Sequence, residues 1–230
     1  MTVSKVLLPK AKVNQPKNNR MSYEEFLAWA DEDTLAEWVD GEVIPFMPVK
    51  IKHQRISNRL FHLIEQFIKL FKLGEVWSAP TEMRLRSGQS IRQPDIFFVL
   101  QANLHRLKED WLDGPADLVI EIISTESVQR DRRDKFREFE QAGITEYWII
   151  DPRAGKQRAD FYRLDETGRY QLFGMDEDEW VESEVLKGFR LRPHWLWQTE
   201  SLNPYLALGE MLGNETFLAL LKQNLEPPQD

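Results

Sequence analysis

A chain of 230 residues, 42% apolar and 30% charged with a formal net charge of -8, fits one large domain or two small ones. The absence of cysteine excludes a disulfide scaffold, an iron–sulfur protein, a thiol nucleophile and a cysteine-ligated zinc site. Its 13 Phe, 8 Trp and 5 Tyr exclude global disorder, and no apolar run approaches the ~20 residues of a membrane span.

Residues 1–20 are basic and polar and read as a loose arm; Val6-Leu7-Leu8 is too short for the apolar core of a signal peptide. A cytoplasmic protein with no membrane partner is therefore expected. Ser22 followed by Glu25 is a capping-box pattern that opens a short helix to about Ala30. Residues 37–44 read as a hairpin around Asp40-Gly41. From Lys50 to Phe71, Ile56, Leu60, Leu63, Ile64 and Phe67 recur at helical spacing. Strands follow at 75–78, 81–86, 94–100 and 117–123, with a polar excursion over 101–115. A helix over 127–142, ended by Gly143, leads to a third apolar strand at 146–151. A hairpin over 159–173, an acidic loop, short strands and one apolar helix near 204–224 complete the chain. The expected class is α/β, with a mixed sheet flanked by helices. Its organisation is an arm over 1–20, a domain over 21–198, and a helical appendage and tail over 199–230.

The overall acidity argues against a nucleic-acid partner only until it is divided along the chain. Residues 50–140 hold 16 basic and 14 acidic residues, a net of +2 inside an acidic protein. The basic ones fall into three clusters: Lys50, Lys52, Arg55 and Arg59; then Arg84, Arg86 and Arg92; then Arg130, Arg132, Arg133, Lys135 and Arg137. Electrostatic contact with phosphates needs local clusters of this kind rather than a basic total; the alternative reading of each is a solvated face of a helix or strand.

Glu121 interrupts a strand in which Leu118, Val119, Ile120, Ile122 and Ile123 are all apolar. Such a strand is buried on both faces, where an ionised carboxylate needs a partner or a cation. Asp95 stands at the start of an equally apolar strand. Two carboxylates in one cleft repel unless protonated or bridged by a metal, and all-oxygen ligation suits Mg²⁺ or Mn²⁺. On a wheel of about 100° per residue, Lys135 falls in the middle of the apolar stripe with Val128, Phe139 and Ala142. A snorkelling lysine fits that position; so does an ammonium aimed at the carboxylate pair, with Asp131 one turn earlier as its anchor. A two-residue turn puts Glu37, Val39, Glu42 and Ile44 on one hairpin face. Glu42 is kept as a candidate catalytic carboxylate, whereas Glu37 is expected to face water. His53 is expected to cap or pack. Trp195 and Trp197 are candidates for self-association as a homodimer.

Pro94-Asp95, Glu121 in Glu-x-x-Ser, Asp131, Lys135 and the run Glu146-Tyr147-Trp148-Ile149-Ile150-Asp151 together resemble the Uma-two family of restriction-endonuclease-like bacterial proteins, within the PD-(D/E)XK nuclease superfamily. The resemblance spans roughly residues 22–196. It implies a restriction-endonuclease-like core, a divalent ion on Asp95, Glu121 and the backbone carbonyl of Ile122, and DNA as the partner. The usual lysine two residues after the glutamate is replaced by Ile123; the resemblance places it on the next helix, at Lys135, with Phe139 as the aromatic that follows. A metal-dependent DNA endonuclease is the leading expectation. The alternatives are an inactive nuclease fold that binds nucleic acid or protein, and a purely structural ion network.

Overall fold

A computed structural model describes residues 19–31, 34–46, 48–86, 90–198 and 202–225. Most of the expected N-terminal arm and the Pro-rich tail from residue 226 lie outside the described residues. The capping box forms: Glu25 N–H donates to the Ser22 hydroxyl at 3.1 Å and Ser22 N–H to the Glu25 carboxylate at 2.7 Å, opening α1 (Tyr23–Trp29). β1 (Ala36–Val39) and β2 (Glu42–Pro45) pair across Asp40 (φ 46°) and Gly41 (φ 87°). Both turn residues are left-handed, the type I′ geometry that an Asp-Gly pair supplies at low cost. The apolar periodicity after Lys50 becomes α2 (Ile51–Phe71).

The strands that follow are β3 (Gly74–Ser78), β4 (Glu82–Arg86), β5 (Ser90–Arg92), β6 (Ile96–Leu100), β7 (Trp111–Asp113) and β8 (Leu118–Ile122). A π-helical turn (Arg130–Lys135) runs into α3 (Phe136–Ala142), then β9 (Glu146–Asp151), β10 (Arg158–Leu164) and β11 (Tyr170–Phe173). Short strands β12 (Val181–Glu182) and β13 (Arg190–Leu191) precede α4 (Pro204–Leu212) and α5 (Asn214–Leu225). The single C-terminal helix expected from the sequence is thus two helices. Gly213, at φ 80° and ψ 134°, lies outside helical geometry and breaks the run.

Six strands form a mixed sheet in the order β11-β10-β9-β8-β6-β3, with β8 and β9 parallel and the other pairs antiparallel. Five form a second sheet, β2-β1-β5-β4-β7. The apolar strands are buried on both faces, as continuous apolar runs require. One face carries Ile96, Phe98, Leu118, Ile120, Ile122 and Trp148 against Ile56, Leu60 and Ile64 of α2. The other carries Phe97, Val99, Val119, Ile123, Tyr147 and Ile149 against Phe139 of α3. Each such fully buried side chain contributes about 1.5–3 kcal/mol, so both helices are docked by burial rather than by propensity. Ala207, Leu208, Met211 and Phe217 join the α2 face, so the described C-terminal helices share the main core. Trp195, expected at a self-association surface, packs edge-on against Trp180 with ring centroids 5.3 Å apart and is 4% exposed. Its apolar surface is already spent inside the chain.

Candidate active site

β6 and β8 pair antiparallel with Ile96 opposite Ile120, so one residue further out Asp95 lies beside Glu121 on the same face. Asp95 sits just before β6, and its Oδ2 accepts from the Ile122 N–H at 2.7 Å and from Nε2 of His53 at 3.1 Å. The Asp95 carboxylate is therefore clamped between the end of β8 and the first turns of α2. The charge and hydrogen bond of Asp95 raise the His53 pKa against a burial that lowers it, which favours the imidazolium.

Glu121 is 4% exposed and faces the α3 side of the sheet. Lys135 comes down onto it from the π-helical turn, with Nζ 2.6 Å from Oε1 of Glu121. The same ammonium lies 3.2 Å from Oε1 of Glu37 and 3.9 Å from Oδ1 of Asp131. Asp131, Lys135 and Phe139 are all buried, four residues apart, as the helical wheel anticipates. Ile123 points to that face too and fills the α3-side core. The strand position that would carry a lysine is taken by packing, and the helix delivers the cation instead.

Glu37 corrects the expectation of a water-facing side chain: it is 3% exposed. β1 pairs with β5, which places Arg92 beside it, and Lys135 from the π-helical turn lies over that face. Oε1 of Glu37 ion-pairs with Lys135 and accepts from the Gln93 N–H at 3.1 Å, and Oε2 accepts from Arg92 at 3.1 Å. Arg92 then donates from Nε to Glu138 at 2.9 Å, with a second, shorter bond from Nη2. Burial alone would raise the Glu37 pKa. Lys135, then Arg92 and the Gln93 N–H, reverse this and bring it down to about 2. Sequence reasoning missed β5, a three-residue strand, and with it the role of Arg92. Glu42, opposite Val39 at the turn end of the hairpin, is exposed and lies outside this cluster.

The cleft is lined by Glu37, His53, Asp95, Glu121, Asp131 and Lys135 among others, and with the solvent at its mouth encloses about 580 Å³. Four of these are carboxylates. Burial first, then Asp95, Asp131 and Glu37, raise the Glu121 pKa well above the usual range despite Lys135. Asp131 is raised by burial too, again with Lys135 opposing, and its Oδ1 is buried without a hydrogen-bond partner. Lys135 is raised by Glu121, Glu37 and Asp131 against its own burial, and stays charged. Burial and mutual repulsion thus favour the protonated forms of Glu121 and Asp131, and a bound cation would favour their ionised forms.

Among the described residues no three His, Asp or Glu side chains converge as a ready-made cation cage. The donors do fit a hard ion with few protein ligands. The hydrogen bonds given above engage only Oδ2 of Asp95 and Oε1 of Glu121. The Ile122 carbonyl leaves its strand on the same edge as the N–H bound to Asp95. Two carboxylates and a carbonyl, with water and phosphate oxygens in the remaining positions, match the octahedral preference of Mg²⁺.

The three basic clusters fare less uniformly than expected. Arg92 and Lys135 are interior, Arg84 pairs with Glu82 at 2.8 Å and stacks on Trp111, and Arg132 pairs with Asp160 at 2.6 Å. Lys52 donates to the Pro152 carbonyl at 2.6 Å. Lys50, Arg133 and Arg137 are exposed, and Arg130 lines the cleft. Two of the clusters therefore build the site as much as they present charge to a partner.

The mixed sheet, with carboxylates on β6 and β8 at its open end, is a restriction-endonuclease-like fold. The chain is similar in fold to a crystal structure described as "a putative nuclease belonging to DUF820" from Anabaena variabilis ATCC 29413, with a TM-score of 0.63 and 19% sequence identity. That match covers 78% of this chain and 98% of the other. The chain belongs to the Uma2 family, described as "Putative restriction endonuclease", whose model matches residues 23–194. No curated protein matches the chain.

Proposed function

We propose that this chain is an endonuclease that hydrolyses phosphodiester bonds of DNA with a divalent ion, Mg²⁺ or Mn²⁺, held by Asp95, Glu121 and the Ile122 carbonyl. The observation that carries the reading is the Lys135 ammonium, 2.6 Å from Glu121 in a cleft that also holds Glu37, Asp95 and Asp131. A structural ion pair needs no such gathering of carboxylates; a site that receives a cation does. When bound, the ion polarises the scissile phosphate and makes an attacking hydroxide available near neutral pH.

The chain's own residues do the rest. His53 and the Ile122 N–H fix the orientation of Asp95. Glu37, itself fixed by Arg92 and the Gln93 N–H, positions Lys135. A lysine whose pKa is raised makes a poor general base at neutral pH. Lys135 therefore stabilises the negative charge that develops on the phosphate as water adds. Glu42, outside the cluster, has no part in this reading. The proposal includes a homodimer, tested by light scattering on the purified protein; a monomer mass removes that part.

The test is supercoiled plasmid incubated with purified protein and Mg²⁺ or Mn²⁺ at low salt. Nicked or linear product is expected from wild type and from none of Asp95→Ala, Glu121→Gln or Lys135→Met, each checked for folding by circular dichroism. Intact plasmid with wild type under both metals rules the endonuclease out. Retained DNA binding without cleavage would leave a nucleic-acid-binding module in its place.

A further inference from the structure

The catalytic cleft does not end at Asp95. A second open groove of about 1090 Å³ continues from it along the first half of α2, and Phe46, Val49, His53 and Asp95 line both spaces. Its lining differs in kind. Among the described residues, no lysine or arginine lines this groove, and its one carboxylate is Asp95. Its only side chains able to carry positive charge are His53, already held by Asp95, and His62, beside Glu65, so it offers a phosphate little.

Leu35, Phe46, Phe61 and Pro80 give it apolar wall, interrupted by Ser57, His62 and Ser78, and Leu35 remains 54% exposed. On them stands one pre-oriented amide pair. Gln54 and Asn58, exposed and one turn apart on α2, are joined by a Gln54 Nε2 to Asn58 Oδ1 bond of 2.9 Å. That bond leaves the Gln54 carbonyl oxygen as an acceptor and the Asn58 amide hydrogens as donors on the same stretch of α2. The edge of a nucleobase presents the complementary pattern. His53 also lines the groove, its ring 7% exposed and held by Asp95.

We infer that this groove receives a single unpaired nucleobase of the DNA strand, next to the phosphate held at Asp95 and Glu121. A neutral planar ring matches apolar walls and an amide edge; backbone phosphate and an intact base pair do not. The inference rests on the nuclease reading only for the strand's placement in the cleft. It narrows the substrate to single-stranded or locally unpaired DNA.

The test measures binding without turnover. A fluorescein-labelled 12-nucleotide single strand and the same sequence as a blunt duplex are titrated with protein in EDTA at low salt, followed by anisotropy. The single strand is expected to bind about tenfold tighter than the duplex, the scale of one stacked base. Gln54→Ala and Asn58→Ala together, both on exposed positions that leave the fold intact, remove that preference and leave duplex affinity unchanged. Phe61→Ala does the same, and a single abasic position in the strand reproduces the loss with wild-type protein. Equal affinity for the two DNAs, an equal loss on both in the variants, or no binding to the single strand overturns the inference. Plasmid cleavage that survives such a result leaves the nuclease reading intact. Single-strand preference lost in the groove variants, in a protein that cuts nothing, keeps the groove and removes the nuclease.

Discussion

Two glutamates lie within one sheet on adjacent strands, both buried, and they are opposites. Glu146 of β9 is 0% exposed, and its carboxylate accepts from Arg163 at 3.2 Å, Trp148 Nε1 at 3.2 Å, the Ser183 hydroxyl at 2.9 Å and the Glu184 N–H at 2.7 Å. Both its oxygens are engaged, and it ties the sheet to the segment that carries β12. Glu121 of β8 has one donor, Lys135, and faces three other carboxylates across a cleft. Burial alone does not mark a functional carboxylate. The informative quantity is how far its bonding capacity and charge are satisfied by the protein itself.

The sharpest way to break this contrast is to neutralise each glutamate in turn. Glu121→Gln is expected to slow plasmid nicking by at least about 10²-fold with little loss of stability. It also abolishes any rise in melting temperature on adding Mg²⁺, since only a folded site binds the ion. Glu146→Gln leaves the nicking rate of the folded fraction unchanged and destabilises the fold, by about 3–5 kcal/mol in urea unfolding. A Glu121→Gln protein that unfolds and a Glu146→Gln protein that is merely inactive would reverse the two roles.

Lys135→Met extends the comparison to the cation. Nicking should fall by about 10²–10³-fold. Combined with Glu37→Gln, the stability losses should be non-additive by about 0.5–3 kcal/mol, because the two groups satisfy each other. Additive losses in a double-mutant cycle would show that Glu37 does not position the lysine.

A third measurement follows pH. Glu37 has a folded value of about 2 against an ordinary 4.5, so its stabilisation is complete above 4.5 and is lost as pH falls towards 2. Glu121 and Asp131, whose values are raised, work in the other sense: their ionisation opposes folding as pH rises above the ordinary range. Between pH 4.5 and 2 wild type should lose on the order of 3 kcal/mol more unfolding free energy than Glu37→Gln. Equal acid limbs in a pH series of urea titrations would contradict the Glu37–Lys135–Arg92 arrangement. The smallest effect is assigned to Glu42→Gln, within about ±0.5 kcal/mol in stability and with nicking unchanged.

Asp95, Glu121 and Lys135 were legible because each breaks a pattern: a charge in an apolar strand or in the apolar stripe of a helix. Glu37 was not. Its hairpin alternates in a way that permits either face to be wet, and only packing decides that both are covered there, Trp38 and Val43 by Phe26 and Glu37 by Lys135. β5 itself is too short for any periodicity to show, so Arg92 could be counted only among surface charges. The same limit applies to the basic clusters. A run of arginines in sequence does not reveal that Arg132 is committed to Asp160 or Lys52 to a carbonyl. The break of the C-terminal helix needed only Gly213, which an otherwise continuous apolar run obscured.

A lysine carried on β8 would be as persistent as the sheet. Here the ammonium arrives on a helix docked mainly by Phe139 and the residues around it, and segments of that size open locally at less cost than global unfolding. Each such opening withdraws the cation and leaves Asp95 and Glu121 standing on intact strands. The cleft then lacks its ammonium and is more negative than before. Amide exchange along residues 131–142 would report how often that opening occurs, so the docking of one helix bears directly on whether the cluster is assembled.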